Sequence, residues 1–305
     1  MIYDLIIVGA GPAGMTAGIY AARLKLKTLL ITKNFGGQVA GKAVAIENWP
    51  GIQSIQAPDL VKKMEEHLKS LDIEIVIDEV SDIKKNADFT VLTKNKEYKC
   101  KAVILATGSE YRHLNVPGEK EYLGKGVSHC SVCDGPLFKN KDVAIIGGGN
   151  AGFETAIFLS NIAKKIYILE FSQEVKAFEQ IQDIAKASGK IEIITQASVK
   201  EIRGEKFVNS IVFNEKDKER ILEVQGVFVE VGYSPASSLA KNLVYLNNNG
   251  EIIVDSKTMQ TNIKGLFAAG DVSANQFKQI VVSAGEGAKA TLSAHNFIKH
   301  KTIEK

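Results

Sequence analysis

Cysteine, net charge and long apolar runs are all scarce in this 305-residue chain. Three cysteines are too few for a disulfide-stabilised scaffold, so a cytoplasmic protein with one reactive pair is expected. The net charge of +3 gives no reason to expect nucleic acid or a membrane surface as a partner. No apolar run reaches the roughly 18 residues of a membrane-spanning helix, and the first residues do not form a signal peptide.

Two glycine-rich turns are present, and each has the same local context. Each turn follows an apolar strand and opens a helix, and a second strand follows that helix, so each forms a βαβ unit. A chain of this length can hold two such domains. The predicted strand, helix and strand lie at residues 3–8, 12–25 and 27–32 in the first unit, and at 142–146, 151–163 and 165–169 in the second.

Both turns have the spacing Gly-x-Gly-x-x-Gly, which in this context predicts a dinucleotide site. The first glycine permits a tight turn, the second lets a pyrophosphate approach the backbone, and the third allows the helix to pack closely. The helix N-terminus adds partial positive charge. The glycines are Gly9, Gly11 and Gly14 in the first turn, and Gly147, Gly149 and Gly152 in the second.

The residue that ends the following strand indicates which nucleotide each turn holds. After the first turn this position is Thr32 or Lys33, and neither is a carboxylate. After the second turn it is Glu170, which can accept hydrogen bonds from a free ribose 2′-hydroxyl and would repel a 2′-phosphate. This favours NADH over NADPH, although nearby Lys176 leaves NADPH open.

Cys130 and Cys133 flank two residues, are followed by Asp134, and lie shortly before the second turn. A redox disulfide, zinc ligation and two inert core cysteines are the possible interpretations. Zinc needs about four ligands, and only His129 and the distant Cys100 could assist, so no metal site is predicted. The redox interpretation is favoured, because one nucleotide could bring a hydride, a flavin could accept it and the dithiol could carry two electrons out. Asp134 is a candidate general acid.

The remaining patterns indicate how the two domains are connected. Further helices are predicted at residues 58–71, 174–187 and 285–298, further strands at 73–77, 101–106 and 265–269, and short strands and turns over 191–232. Gly270-Asp271 follows the last apolar strand, as a flavin ribityl chain requires, and would return the chain to the first domain. An FAD-binding domain at 1–113 and 245–305 is therefore predicted to carry an inserted NAD(P)H-binding domain at 114–244, which holds the dithiol.

Several segments together resemble the low-molecular-weight bacterial thioredoxin reductases over essentially the whole chain. These segments are residues 9–14, 35–38, 47–51, 106–108, 130–134, 147–152 and 269–271. The run at 170–176 and the segments after Cys133 and after Phe277 are more similar to the flavoprotein subunit of alkyl hydroperoxide reductase, which prefers NADH. That flavoprotein has an additional N-terminal thioredoxin-like domain, so a separate small redox protein is expected to take its place.

The resemblance implies an α/β protein with two Rossmann-like, three-layer ββα domains of the pyridine nucleotide-disulfide oxidoreductase type, the second inserted in the first, in a homodimer. It implies that Cys133 lies against the flavin and that Cys130 attacks the partner. It implies that FAD contacts Gly9, Gly11, Pro12, Ala13, Gly14, Gly37, Gln38, Asn48, Val80, Thr107, Gly108, Gly270, Asp271, Lys278, Gln279 and Ile280. It implies that NAD(P)H contacts Gly147, Gly149, Asn150, Ala151, Gly152, Glu170, Lys176 and Gly232.

The predicted function is that of a flavin-dependent disulfide reductase. Electrons would pass from NADH through FAD and the Cys130–Cys133 dithiol to a thioredoxin- or glutaredoxin-like protein. Three alternatives remain open: a dedicated electron donor to a peroxiredoxin system, an NADH oxidase or diaphorase, and a flavin-binding redox sensor. The oxidase alternative predicts that a Cys130→Ser variant keeps its physiological turnover.

Overall fold

A computed structural model describes residues 2–40 and 45–303 of the protein. Within them the chain forms two compact units. The first unit contains residues 2–40, 45–110 and 234–303, and the second contains residues 111–233. The second unit is therefore inserted into the first, as the sequence predicted.

The helices and strands follow one another in three stretches of chain. The first stretch contains β1 (Ile2–Ala10), α1 (Pro12–Arg23), β2 (Thr28–Phe35), β3 (Ala45–Ile46), β4 (Ile55–Gln56), α2 (Ala57–Lys69), β5 (Glu74–Ile77), β6 (Val80–Lys85), β7 (Phe89–Thr93), β8 (Glu97–Leu105) and β9 (Ser109–Tyr111). The second contains β10 (Val127–Ser128), α3 (Ser131–Asp134), β11 (Asp142–Ile146), α4 (Asn150–Ser160), β12 (Lys165–Leu169), α5 (Glu179–Ala187), β13 (Ile191–Ile194), β14 (Ala197–Gly204), β15 (Val208–Glu215), β16 (Lys218–Glu223) and β17 (Gly226–Val229). The third contains β18 (Tyr233–Pro235), β19 (Leu266–Ala268) and α6 (Ile280–Ile303), and short 3-10 helices occur at Gly37–Val39, Gly135–Phe138 and Ser238–Ala240.

The first unit is built on a seven-stranded sheet in the order β5-β2-β1-β8-β7-β6, with β19 also paired to β8. The pairs β1–β2, β1–β8, β2–β5 and β8–β19 are parallel. Successive residues of β1 are buried on opposite faces, because Leu5 and Ile7 pack with the helices while Ile6 and Val8 pack with β6 and β7. A strand buried on both faces requires a continuous apolar run, which explains the sequence of β1.

The second unit has three layers. Its central sheet is parallel throughout, in the order β10-β17-β11-β12-β13. Val143 and Ile145 of β11 pack against α4 and α5, whereas Ala144 and Ile146 pack against the antiparallel sheet β14-β15-β16. Helices, a parallel sheet and an antiparallel sheet are the layers expected of a ββα domain, so the predicted fold class is confirmed.

The unit boundaries differ from the predicted ones. The chain leaves the first unit between Glu110 and Tyr111 and returns between Tyr233 and Ser234, whereas the sequence placed these boundaries after residues 113 and 244. The second difference has a clear cause. Ala240 and Val244 are buried in the apolar core of the first unit, so residues 234–244 belong to that unit.

Two helices also differ from prediction. Helix α5 begins at Glu179 rather than near residue 174, because the backbone N–H groups of Lys176 and Ala177 donate to the Gly148 carbonyl instead of joining a helix. The short helix α3, for which no helix was predicted, contains Cys133 and is capped by Cys130. Among the described residues, no helix is long and apolar enough to cross a membrane.

Candidate active site

The first glycine turn joins β1 to α1 in the first unit. Gly9 has φ +102°, and a Cβ there would lie 2.3 Å from the Ala106 carbonyl oxygen. A Cβ at Gly14 would lie 1.9 Å from the Gly9 carbonyl oxygen. A Cβ at Gly11 would meet no atom within 4 Å. Two glycines are thus required by packing, and only the middle one faces open space beside the helix N-terminus, where the first N–H groups lack intrahelical partners.

Several of the predicted FAD residues meet at this turn. A Cβ at Gly37 would lie 3.6 Å from Gly11 Cα, and one at Gly270 would lie 3.0 Å from Ala13 Cβ. Pro12 begins α1. Residues distant in sequence therefore converge on the start of α1, which local sequence patterns alone do not show.

Polar side chains surround the same part of the first unit. Gln38 donates from Nε2 to the Ser109 carbonyl at 2.8 Å, while its Oε1 is buried and has no hydrogen-bond partner in the described part of the chain. The Thr107 hydroxyl donates to the Ala236 carbonyl at 2.7 Å. Asn48 donates to Gln279 Oε1 at 3.1 Å. The buried, partnerless Oε1 of Gln38 is an acceptor that a bound ligand could satisfy.

Other predicted FAD residues have partners of their own. Lys278 lies 2.7 Å from Glu251, and its Nζ donates to the carbonyls of Asp271 and Ser273 at 3.2 and 2.7 Å. Asp271 accepts a 3.3 Å hydrogen bond from Ser283. The structure thus places Lys278 as a tether for the loop after β19.

Three further predicted residues have mainly backbone or packing roles in this structure. Val80 is buried in the apolar core at the start of β6. Gly108 has φ +69°, and its carbonyl accepts from Ala236. Ile280 is the first residue of α6.

Glu286 was not assigned a role from the sequence, although it holds the loop that follows β19. Its carboxylate accepts from the Gly270 N–H at 2.8 Å, the Ser273 hydroxyl at 3.1 Å and the Asn275 amide at 2.6 Å. Burial raises the pKa of Glu286 despite these donors. The signal available in the sequence was a single acidic residue between Gly285 and Gly287 in a helix of small residues.

The second glycine turn, in the second unit, repeats the geometry of the first. Gly147 has φ +120°, and its Cβ would lie 2.3 Å from the Glu230 carbonyl oxygen. A Cβ at Gly152 would lie 2.0 Å from the Gly147 carbonyl oxygen, whereas one at Gly149 would meet no atom within 4 Å. The middle glycine is again the open position. Gly149 caps α4, whose first turn contains Asn150 and Ala151.

Glu170 lies directly at this turn. Its two carboxylate oxygens accept from the Gly148 N–H at 2.6 Å and the Ser172 N–H at 2.8 Å. Burial alone would raise the pKa of Glu170, but these N–H groups and the charge of Lys176 lower it overall. The carboxylate is therefore ionised at neutral pH. Gly232, at the other end of the unit, has φ +94° and open space at its Cβ position.

Cys130 and Cys133 form a disulfide at the start of α3. The Cys133 N–H lies 3.2 Å from Cys130 Sγ, so it can donate to that sulfur. Cys133 is exposed and Cys130 is half-buried. A backbone donor aimed at Cys130 would stabilise its thiolate, which is the nucleophilic form.

Ser128 positions the acid beside this disulfide, and it was not identified from the sequence. Its hydroxyl donates to Asp134 Oδ2 at 2.6 Å and accepts from the Cys130 N–H at 3.0 Å. Ser128 is buried, with 3% of its surface exposed. Its identity as a serine near a cysteine pair carries no distinctive signal.

A second hydrogen-bond network links the dithiol helix to the helix of the second glycine turn. Thr155 of α4 donates to Glu230 Oε1 at 2.9 Å, and its hydroxyl lies 3.4 Å from the Ser131 hydroxyl of α3. Gly135 also packs closely on α4, because a Cβ there would lie 3.0 Å from side-chain atoms of Phe158 and Leu159. Hydrogen bonds and side-chain packing thus link α3, which contains Cys133, to α4 within one unit.

Two open glycine turns and a disulfide with an adjacent acid are the features of an oxidoreductase that handles dinucleotides and thiols. Residues 3–287 match the pyridine nucleotide-disulphide oxidoreductase family, and the chain belongs to that family. Its members are flavoproteins that use FAD and a pyridine nucleotide. The predicted family resemblance is therefore confirmed.

Two curated relatives illustrate this similarity. The chain is 41% identical over 300 residues to a protein of Bacillus subtilis (strain 168) named NADH dehydrogenase. It is 41% identical over 305 residues to the F subunit of alkyl hydroperoxide reductase from Pseudomonas putida. Each match covers 97% of this chain but only 58% of the relative's length.

Two solved structures are similar over their whole length. The thioredoxin reductase of Lactococcus lactis, in its FR conformation, superposes with a TM-score of 0.93 at 37% identity and covers 98% of this chain and 99% of its own. The thioredoxin reductase of T. acidophilum gives a TM-score of 0.91 at 38% identity, with 99% of both chains covered. These neighbours place the chain among thioredoxin reductase-like proteins.

Proposed function

We propose that the protein is a flavin-dependent disulfide reductase that passes electrons from NADH through FAD to the Cys130–Cys133 pair, and from there to a thioredoxin- or glutaredoxin-like protein in the cytoplasm. The observation that carries this proposal is the setting of the disulfide. The Ser128 hydroxyl hydrogen-bonds both the Cys130 N–H and Asp134, and Ser131 of the dithiol helix hydrogen-bonds α4, the helix that begins at the second glycine turn. Both turns leave only their middle glycine open, as a bound pyrophosphate requires.

The residues of the first unit fit FAD. Gly11 leaves space against the N-terminus of α1, and the buried Oε1 of Gln38 needs a donor. The remainder of the FAD molecule would be held by other polar residues of the first unit, among them Asn48, Thr107 and Asp271. When bound, FAD would supply two-electron chemistry, taking a hydride from the nicotinamide and passing the electron pair to the disulfide.

The second unit would bind the pyridine nucleotide. Gly149 would admit the pyrophosphate, and the ionised Glu170 would accept from the adenine ribose. A 2′-phosphate would meet this negative charge, which supports NADH over NADPH. Glu170 also accepts a hydrogen bond from the Gly148 N–H and so fixes the shape of the turn. The same carboxylate would therefore both bind the nucleotide and hold the turn that receives it.

The dithiol would work by thiol–disulfide exchange. The Cys130 thiolate would attack a partner disulfide, form a mixed disulfide and release one partner thiolate. Cys133 would then attack Cys130 Sγ, restore the internal disulfide and release the second partner thiolate, so that two electrons leave. Asp134 would exchange protons with these thiolates. The hydrogen bond from the Cys133 N–H supports Cys130 as the attacker, although Cys133 is the more exposed residue.

Partner trapping tests the assignment of the two cysteines. In Cys133→Ser, Cys130 could still attack the partner disulfide. The resulting mixed disulfide would lack the Cys133 thiol that normally breaks it, so a mixed disulfide with thioredoxin should accumulate. In Cys130→Ser, trapping should be much weaker. Stronger trapping by Cys130→Ser would reverse the two roles and show that exposure decides the attacker.

A reductive titration tests the whole electron path. FAD-loaded wild type should be reduced rapidly by NADH without oxygen and should take up one electron pair more than Cys133→Ser. Faster reduction by NADPH would overturn the role of Glu170. Equal electron uptake by both proteins would remove the dithiol from the path and bring forward an NADH oxidase.

A dedicated electron donor to a peroxiredoxin is the second candidate. It is favoured by the 41% identity to the alkyl hydroperoxide reductase protein of Pseudomonas putida over 97% of this chain. Turnover with thioredoxin, with glutaredoxin and with a peroxiredoxin system, measured side by side, separates the candidates. The acceptor with the highest kcat/KM identifies the partner class.

A further inference from the structure

A turn next to the dithiol brings together two histidines and a glutamate that the proposed reaction does not use. Glu119 is 2% exposed, and its two oxygens accept from the Leu114 and Asn115 N–H groups at 3.0 and 2.7 Å. His113 Nδ1 lies 3.2 Å from Glu119 Oε1. His113 is 46% exposed, so this pair is open to solvent on one side.

His129, which directly precedes Cys130, completes the group. Its Nδ1 lies 3.3 Å from the Val229 carbonyl oxygen, so the ring donates there and the lone pair resides on Nε2. Nε2 is buried and has no hydrogen-bond partner among the described residues. The ring is held by Tyr111 at 5.1 Å and by His113 at 5.4 Å between centroids. An oriented, buried and partnerless nitrogen lone pair requires an explanation.

We propose that His113, Glu119 and His129 form a binding site for a divalent transition-metal ion of the zinc type. One donor atom from each residue lies within 4.8 Å of the other two. Two imidazoles and one carboxylate are a ligand set that zinc uses when it keeps a fourth position for water. All three residues belong to the second unit, and the proposal does not depend on the proposed function.

The distances are close to those that a metal requires. Bonds of about 2.0–2.1 Å in tetrahedral geometry place neighbouring ligand atoms about 3.4 Å apart. The 3.2 Å between His113 Nδ1 and Glu119 Oε1 is already near this value. The widest separation between two of the three ligand atoms is at most 4.8 Å, so no pair has to close by more than about 1.4 Å.

The surroundings also have the form of a metal site. Metal-ligating histidines nearly always donate their other ring N–H to a carbonyl or carboxylate, which fixes the tautomer, and Val229 supplies such a carbonyl to His129. The two backbone donors orient the Glu119 carboxylate in the same way. A bound ion would join the 113–119 turn to the segment that leads into the dithiol.

Calorimetric titration of ZnCl₂ into the FAD-loaded, metal-stripped protein tests the site. The Cys130–Cys133 disulfide is kept oxidised so that no dithiol can compete for zinc. The wild type should bind about one zinc ion per chain. His113→Gln and His129→Gln should each weaken binding by at least the roughly 10–100-fold lost with an outer-shell partner. His67→Gln, an exposed position on α2 in the other unit, should bind as the wild type does.

Thermal unfolding supplies an independent readout. Zinc should raise the unfolding midpoint of the wild type and of His67→Gln but not that of His113→Gln. Because His113 is exposed, its variant is expected to fold, and it decides the matter if His129→Gln is unstable. The absence of stoichiometric zinc binding, or full binding by His113→Gln, would overturn the proposal.

Discussion

The second glycine turn allows a paired prediction, because a glycine-to-alanine substitution should impair binding at one position and stability at another position three residues later. Gly149 has φ −87° and ψ −179°, which any residue can adopt, and a Cβ there would touch nothing. A Cβ at Gly152 would lie 2.0 Å from the Gly147 carbonyl oxygen. Gly149→Ala should therefore affect binding, and Gly152→Ala should affect folding.

The magnitudes follow from the packing. Gly152→Ala gains up to about 1 kcal/mol of helix propensity, but overpacking costs about 1–3 kcal/mol and a clash with backbone belongs at the upper end. A net destabilisation of roughly 2 kcal/mol is expected. Gly149→Ala should leave the nucleotide-free protein within about 0.5 kcal/mol of the wild type. A methyl group in the pyrophosphate position should cost about 1–3 kcal/mol of binding, or roughly 5–150-fold in Kd.

Two measurements check this pair. Urea unfolding without nucleotide gives the free energy of unfolding of each variant. Calorimetric titration with NAD⁺, which cannot reduce the flavin, gives the affinity. Wild-type NAD⁺ affinity in Gly149→Ala would refute the claim that this turn holds the pyrophosphate. Wild-type stability in Gly152→Ala would refute the packing argument.

Three further predictions concern the dithiol, the turn carboxylate and the core. Asp134→Asn should slow electron transfer to the partner by up to about 10²–10⁴-fold, and Ser128→Ala should slow it by a smaller factor. Flavin reduction by NADH should be unchanged in both variants. Equal partner turnover in Ser128→Ala and the wild type would show that the serine does not position the acid. Since the pKa of Glu170 is lowered in the folded state, its stabilisation is present above the unfolded value of about 4.3 and is lost as pH falls through the folded value. The stability gap between the wild type and Glu170→Gln should therefore shrink as the pH falls below about 5 in urea unfolding, and a constant gap would contradict this. Phe153→Ala, at a fully buried ring, should cost about 3–5 kcal/mol, while Phe207→Ala, at a ring 65% exposed, should cost almost nothing, and similar losses would contradict the assigned core.

Local patterns were sufficient for the elements that a short stretch of chain defines. The strand-turn-helix pattern around Gly9 and around Gly147 correctly predicted β1, α1, β11 and α4, because glycine requirements and apolar periodicity act within a few residues. The return of the chain to the first domain was also predicted, because Gly270-Asp271 after the last apolar strand is a pattern expected in a flavin site. That strand, β19, does pair with β8 of the first unit. The assignment of individual cofactor contacts stays a prediction.

Boundaries and hydrogen-bond partners depended on residues far apart in sequence. Helix α5 begins after the predicted start because the backbone N–H groups that precede it donate to the Gly148 carbonyl. The apolar periodicity of the segment gives no information about this hydrogen bonding. The segment ending at Val244 joins the first unit because its apolar residues fill a core formed by much earlier strands. These outcomes are set by packing, which overrides local preference.

The amino-acid sequence by itself determined the two glycine turns, the cysteine pair and the class of fold, since each depends on the spacing of a few neighbouring residues. Only the tertiary structure placed Ser128 on Asp134 and Thr155 on Glu230. It alone gathered the donor atoms proposed as a metal site, which follow no recognised ligand spacing in the sequence. His113 and Glu119 meet within one turn of chain, whereas His129 is placed by the fold, because β10, which ends just before it, pairs with β17 and sets its ring against the Val229 carbonyl.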